Sequence, residues 1–240
     1  MSSQENRPRL RVASYNIRKA RGLDQRYDPH RIMSVINRLD ADVIAIQEAD
    51  HRLGERPAAL ERDLIERESD FEVVPVANNE ISVGWHGNAV LVRKGMRTTS
   101  VKRIELPGFE PRGAVRVDVD AGSGSPISVV ATHLGLLRQS RRRQLSVIAQ
   151  EMNEVGRSVI LGDFNEWSQK RGLEALDDRY EVHSPGRSFH AARPIAALDR
   201  VAVCDTAVLE DAGVDESETA RQASDHLPIW ADLHWPERVQ

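Results

Sequence analysis

The stretch Ser158-Val159-Ile160-Leu161-Gly162-Asp163-Phe164-Asn165 decides the reading of this chain. Ser158 to Leu161 is a short apolar run that reads as a buried strand, and it leads into Asp163. Asp163 and Asn165 are two apart, so in extended backbone both side chains face one way and Phe164 faces the other, into packing. Gly162 permits a sharp turn at the strand end. The fragment alone suits a solvated turn equally well; repetition weighs against that. Ser14-Tyr15-Asn16-Ile17, Gln47-Glu48 and Ser224-Asp225-His226-Leu227-Pro228 also place amide, carboxylate or imidazole groups where an apolar run meets a loop. Open α/β sheets assemble their sites at such strand ends. Hard oxygen ligands plus a histidine suit divalent-metal phosphoryl hydrolysis.

Outward from these segments the chain reads as strand-rich α/β. Leu10 to Ala13 leads to Asn16 as a strand. Asp28 and Pro29 open a helix, a capping oxygen followed by proline at the first helical position. Ile32, Val35, Ile36 and Leu39 then follow at helical spacing. Val43-Ile44-Ala45-Ile46 is a strand covered on both faces that delivers Glu48. A second helix is expected over 57–67, and strands over 71–76, 88–92, 98–106, 114–119, 127–131, 201–203 and 229–233. Ala121-Gly122-Ser123-Gly124-Ser125-Pro126 reads as a hairpin turn. Ser140 reads as the cap of a helix with Leu145, Ile148, Ala149 and Met152 on its apolar face. Strands outnumber helices, and many follow one another directly. Two packed mixed β-sheets flanked by helices fit that pattern better than an alternating barrel.

The 240 residues are 40% hydrophobic and 29% charged, ordinary for a soluble globular protein and enough for a sizeable core. Groups spread from Asn16 to His226 must converge to form one site. That favours a single domain over 9–235, with a flexible N-terminus over 1–8 and a C-terminal tail over 236–240. The net charge of −4 argues against a protein whose affinity comes mainly from neutralising nucleic-acid backbone, while leaving room for a local basic groove. Cys204 is the only cysteine, so no intrachain disulfide forms. Met1 to Leu10 lacks the apolar core of a secretory signal, and no stretch is long and apolar enough to span a bilayer. A cytoplasmic monomer is the expectation.

Taken in order, with Thr132-His133-Leu134 and Leu198-Asp199-Arg200 in their places, these segments resemble the endonuclease/exonuclease/phosphatase superfamily from about Arg11 to Leu233. The resemblance implies the deoxyribonuclease I-like fold, a four-layer α/β/β/α sandwich. It implies that Glu48 is the principal metal ligand, with Asn16 beside it and Asp225 completing the metal or polar network. Carboxylate and amide oxygens without cysteine favour Mg²⁺ first and Mn²⁺ second; zinc is disfavoured. Asp163 and Asn165 would hold the attacking water and the phosphate. Asp199 would orient His226, which either deprotonates water or stabilises the transition state. His133 would contact the phosphate or protonate the leaving oxygen. Arg18 stands where the commonest nuclease pattern has an acidic ligand, which resembles the deoxyribonuclease branch and implies a phosphate contact.

Asn88 in Gly87-Asn88-Ala89 and Arg112 in Pro111-Arg112-Gly113 sit beside strands and are candidates to line the cleft, arginine suiting bidentate phosphate recognition. Each is as readily structural. So too, Asn16 has the bland reading of a strand-end cap, His133 of a satisfied strand-end residue and Asp199 of a surface ion pair with Arg200. Arg141-Arg142-Arg143 reads as a solvated helix face, with a phosphate-tracking patch as the alternative. Trp167 would stack on a base, pack a lipid glycerol or belong to the core.

Arg18 to Gly22, Glu110-Pro111-Arg112-Gly113 and Asn165-Glu166-Trp167 resemble a bacterial phosphodiesterase-like branch. The expected activity is metal-dependent hydrolysis of a small or lipid-derived phosphodiester by in-line attack of water. A DNA endonuclease or exonuclease is the enzymatic alternative. A catalytically silent binding module of the same fold is the non-enzymatic one.

Overall fold

In this computed structural model the described residues are 9–52, 54–122, 125–169 and 171–236. The expected flexible segment 1–8, Ser123 and Gly124 of the expected turn, and 237–240 of the expected tail lie outside them. Among the described residues twelve strands and four α-helices are formed. The strands are β1 (Arg9–Asn16), β2 (Val43–Gln47), β3 (Phe71–Val73), β4 (Ala89–Arg93), β5 (Arg97–Leu106), β6 (Arg112–Asp120), β7 (Ile127–His133), β8 (Ser158–Asp163), β9 (Tyr180–His183), β10 (Asp199–Cys204), β11 (Val208–Val214) and β12 (Ile229–His234). The helices are α1 (Pro29–Arg38), α2 (Arg62–Glu68), α3 (Arg138–Glu151) and α4 (Glu218–Ala223).

The strands make two six-stranded mixed sheets, ordered β11-β12-β1-β2-β4-β3 and β5-β6-β7-β8-β10-β9. Each has one parallel pair at its centre, β1/β2 or β7/β8, flanked by antiparallel neighbours. Alternation fixes the layers. Leu10 and Val12 of β1 join Val43 and Ala45 of β2 in a core shared with the second sheet and the buried face of α3. Ala13, Tyr15, Ile44 and Ile46 face the other way, onto Ile32, Met33, Val35 and Ile36 of α1. Helices thus cover the outer face of each sheet, giving the expected four-layer sandwich.

Local signals act largely as expected. Asp28 caps α1, its Oδ1 accepting from Arg31 N at 3.0 Å. The β6/β7 hairpin is antiparallel, with Val119 opposite Ile127. Three expectations are corrected. Helix α2 starts only at Arg62, because the Ala58 and Ala59 amides are already committed to the carbonyls of Ile81 and Ala49. The strand expected over 71–76 ends at Val73. Ser140 lies inside α3, whose N-cap is Leu137 without a side-chain cap. Strands β9 and β11 and helix α4 went unrecognised. Strand β11 has no buried residue, so it carries no apolar alternation to read. No helix among the described residues is long and apolar enough to cross a membrane.

Candidate active site

Strand register assembles the site. In the second sheet Asp163 lies opposite His133 of β7 on one side and Asp199 of β10 on the other. Asn16 ends β1 on the same face as Leu10 and Val12, the face turned to the second sheet. From there Asn16 Nδ2 donates to Asp163 Oδ2 at 3.1 Å. His226 arrives just before β12. Gly162 permits this closeness for a reason other than the expected turn. It sits within the ladder at φ +150°, and a Cβ there would lie 1.9 Å from the Thr132 carbonyl oxygen.

His226 Nδ1 donates to Asp199 Oδ2 at 2.9 Å, and its Nε2 lies 3.7 Å from Asp163 Oδ2. That same Asp163 oxygen lies 3.4 Å from His133 Nε2. Asp199 is fully buried and also accepts from the Ser188 hydroxyl. It makes no surface ion pair with Arg200, which is itself buried and donates to the Ser184 hydroxyl and the Glu166 carbonyl. Burial would lower the His226 imidazolium, but Asp199 and Asp163 push it up to about 10. Burial raises the Asp163 carboxyl. His133 moves the other way, well below its ordinary value, through burial and the nearby positive charges of Arg112 and His226. Asp163, Asp199 and His226 offer ligand atoms within 4.8 Å of one another. With His226 held charged between two carboxylates, the chemistry of this cluster suits proton handling better than metal ligation.

Glu48 opens on a cavity of about 110 Å³, lined also by Lys19, Arg52, Arg56, His86, Arg112 and His133. Its carboxylate forms an ion pair with the Lys19 ammonium and lies 3.6 Å from Arg52. The turn presenting Lys19 is strained, with Arg18, Lys19 and Ala20 at φ +48°, +55° and +56°, and such strain concentrates at functional sites. Asn16 Oδ1 accepts from Arg18 N at 3.1 Å and keeps a second lone pair. Asp225 faces Arg18 Nε at 3.7 Å. The donors are all oxygen, and Glu48 already attracts cations. That chemistry fits Mg²⁺ or Mn²⁺, with Lys19 displaced from Glu48.

Comparison with known proteins agrees with this fold. The model of the endonuclease/exonuclease/phosphatase family matches residues 13–226. The chain belongs to the endonuclease/exonuclease/phosphatase family. Its members are phosphoesterases and nucleases. The chain is 29% identical to YbhP of Escherichia coli (strain K12) over 257 residues, covering 98% of this chain and all of YbhP. It superposes on an endonuclease/exonuclease/phosphatase crystal structure from Beutenbergia cavernae DSM 12333 with a TM-score of 0.76 at 22% identity, covering 95% of this chain and 72% of that one. D. rerio TDP2 complexed with a single-strand DNA product gives a TM-score of 0.71 at 17% identity, over 94% and 98% of the two chains.

The remaining candidates of this family member divide. Arg112 lines the cavity 5% exposed; its Nη2 donates to Glu110 at 2.8 Å, and its Nε is buried with no partner among the described residues. Arg18 is engaged by Asp225 and the Gly22 carbonyl. Asn88 is fully buried and its Nδ2 donates to the carbonyls of Trp85 and Gly113, a structural use of the amide. Phe164 is buried as expected, but Asn165 turns left-handed at φ +52°. The extended geometry therefore stops at Asp163, and Asn165 Nδ2 donates to the Leu134 carbonyl at 2.9 Å. Sequence reasoning missed Glu166. Fully buried, it accepts from Arg138 and Arg141 and anchors the loop after Asn165. Arg141 is therefore no part of a solvated face; the helical spacing that buries Leu145 also turns Arg141 inward.

Proposed function

We propose that this protein is a divalent-metal-dependent phosphodiesterase acting on a small or lipid-derived phosphodiester by in-line attack of water. The observation that carries the reading is the linked row Asp199–His226–Asp163–His133, with the unpaired Arg112 Nε buried beside His133 at the cavity. A guanidinium held in that state is ready for an anion. Glu48, with Asn16 and Asp225, would hold the metal, which when bound neutralises charge on the phosphate oxygens and the leaving group.

Asp163, its carboxyl raised by burial, accepts the proton of the attacking water, and Asn165 orients the phosphate. His226 enters the reaction already protonated, fixed by Asp199, so it stabilises the developing charge and donates to the leaving oxygen. The expected acid role of His133 is revised on the same grounds. Burial beside Arg112 and His226 keeps its ring neutral, and it serves as a hydrogen-bonding contact to the phosphate. Nucleic acid is the second reading, supported by the shared fold of the TDP2 complex with DNA product; the net charge of −4 counts against it.

The test is Mg²⁺- and Mn²⁺-dependent hydrolysis of bis(p-nitrophenyl) phosphate against p-nitrophenyl phosphate. Diester preference, lost in Glu48→Ala and His226→Ala, is expected. Monoester preference would make the protein a phosphatase, and absence of hydrolysis in the metal-loaded wild type would refute the mechanism.

A further inference from the structure

Among the described residues, the large apolar side chains that face solvent are not scattered. Phe109 is 95% exposed, and Leu136, Leu137, Trp167 and Ile195 are 57–63% exposed, whereas no other large hydrophobic exceeds 49%. All five sit on loops at the site. Leu136 and Leu137 closely follow His133, and Leu136 N donates to Oε1 of Glu110, the neighbour of Phe109 and the partner of Arg112. Trp167 comes two residues after Asn165, and its ring meets Phe189 edge-on at 6.4 Å. Phe189 in turn lies 4.9 Å from the His226 ring, and its carbonyl accepts from Ile195 N at 2.7 Å. The loops that carry the five are thus tied, through Glu110 and Phe189, to Arg112 and His226.

A clustered apolar rim on a polar surface marks a place that meets an apolar partner. Beside it, α3 continues from Leu137 into Arg138, Arg142 and Arg143, which line one shallow depression. Arg138 pairs with the buried Glu166 and Arg142 lies 3.8 Å from Glu174, but with Arg141 and Arg143 the helix keeps a surplus of positive charge here, on a chain of net charge −4. Apolar tips flanked by arginines match the two terms that hold peripheral proteins on anionic membranes. Single-stranded nucleic acid would call for aromatic faces along a basic groove, but Leu136, Leu137 and Ile195 have no stacking face.

We propose that this rim docks the enzyme on an anionic lipid bilayer. Phe109, Leu136, Leu137 and Trp167 enter the headgroup boundary, Arg142 and Arg143 meet the headgroup phosphates, and the cleft opens toward the interface. The proposal rests on the lipid-derived reading of the substrate and sharpens it to a diester hydrolysed without leaving the membrane.

Flotation with vesicles of phosphatidylcholine, or of an equimolar mixture with phosphatidylglycerol, tests it. The wild type is expected to float with the mixed vesicles. Phe109→Ser should weaken binding roughly tenfold and Leu136→Ser with Leu137→Ser roughly a hundredfold. Arg142→Gln with Arg143→Gln should weaken it by about tenfold, on the mixed vesicles alone. Failure of the wild type to bind mixed vesicles would overturn the proposal, as would serine variants that bind like wild type. Salt-sensitive retention on single-stranded DNA that Phe109→Ser removes would also overturn it, assigning the rim to nucleic acid. The serine variants should hydrolyse soluble bis(p-nitrophenyl) phosphate like wild type. Wild type without that hydrolysis would strike the catalytic reading while leaving the vesicle result interpretable.

Discussion

Replacing Glu166 with glutamine would test whether a buried ionic clamp holds the catalytic loop. The carboxylate is 1% exposed and accepts from Arg138 at 2.8 and 3.2 Å, from Arg141 at 2.7 Å and from Ser168 N at 2.9 Å. Burial alone would raise its carboxyl, but these donors prevail and lower it from 4.5 to about 2. At about 1.4 kcal/mol per tenfold, that corresponds to about 3 kcal/mol of stabilisation at neutral pH. Because the folded value lies below the unfolded one, the native state binds fewer protons across that window. The contribution is therefore complete above about 4.5 and disappears as pH falls through about 2.

Glu166→Gln keeps the shape, removes the charge and leaves the buried Arg141 guanidinium without its counter-ion. Urea unfolding at neutral pH should show a loss of about 3 kcal/mol, shrinking steadily in acid. Asn165 is held by the same loop, so diester hydrolysis should drop roughly tenfold through misplacement of the phosphate. A stability loss below about 1 kcal/mol, or one that does not change with pH, would refute the reasoning.

Asp199→Asn removes the carboxylate that, with Asp163, keeps His226 charged. The imidazole NMR titration should fall from about 10 toward the ordinary histidine range, and kcat should drop roughly a hundredfold or more at neutral pH. Gly162→Ala drives a methyl against the Thr132 carbonyl; chemical denaturation should show a loss of roughly 3 kcal/mol or more, or no soluble protein. Lys19→Met frees Glu48 from its ammonium partner, so isothermal titration should show Mg²⁺ binding tighter by roughly tenfold. Chelation should abolish hydrolysis in wild type, with recovery on adding Mg²⁺ or Mn²⁺.

Much of the fold was legible because its central strands are buried on both faces. Val43 to Ile46 and Ser158 to Leu161 advertise themselves as unbroken apolar runs. Strand β11 and helix α4 were not, since one has no buried residue and the other is six residues long. Three of the clustered polar groups were legible for a related reason: His133, Asp163 and Asp199 end or begin recognisable strands. Register, which the sequence does not display, is what sets them side by side. The opposite happened at Arg141. Three consecutive arginines look like a solvated face, and only the fold reveals the buried Glu166 to which one of them turns.

The two histidines show why position outweighs residue type in this site. Both approach the same Asp163 oxygen, at 3.4 and 3.7 Å, and both are buried, so desolvation alone does not separate them. The other neighbours do. His226 has the buried Asp199 carboxylate on its second nitrogen, whereas His133 feels Arg112 and the charge of His226 itself. One ring is held charged and the other neutral by the same physics acting with opposite sign. Asp163 therefore faces a cation on one side and a neutral ring on the other. In the proposed reaction, that asymmetry would let a single buried carboxylate take a proton from water while the adjacent imidazolium gives one up.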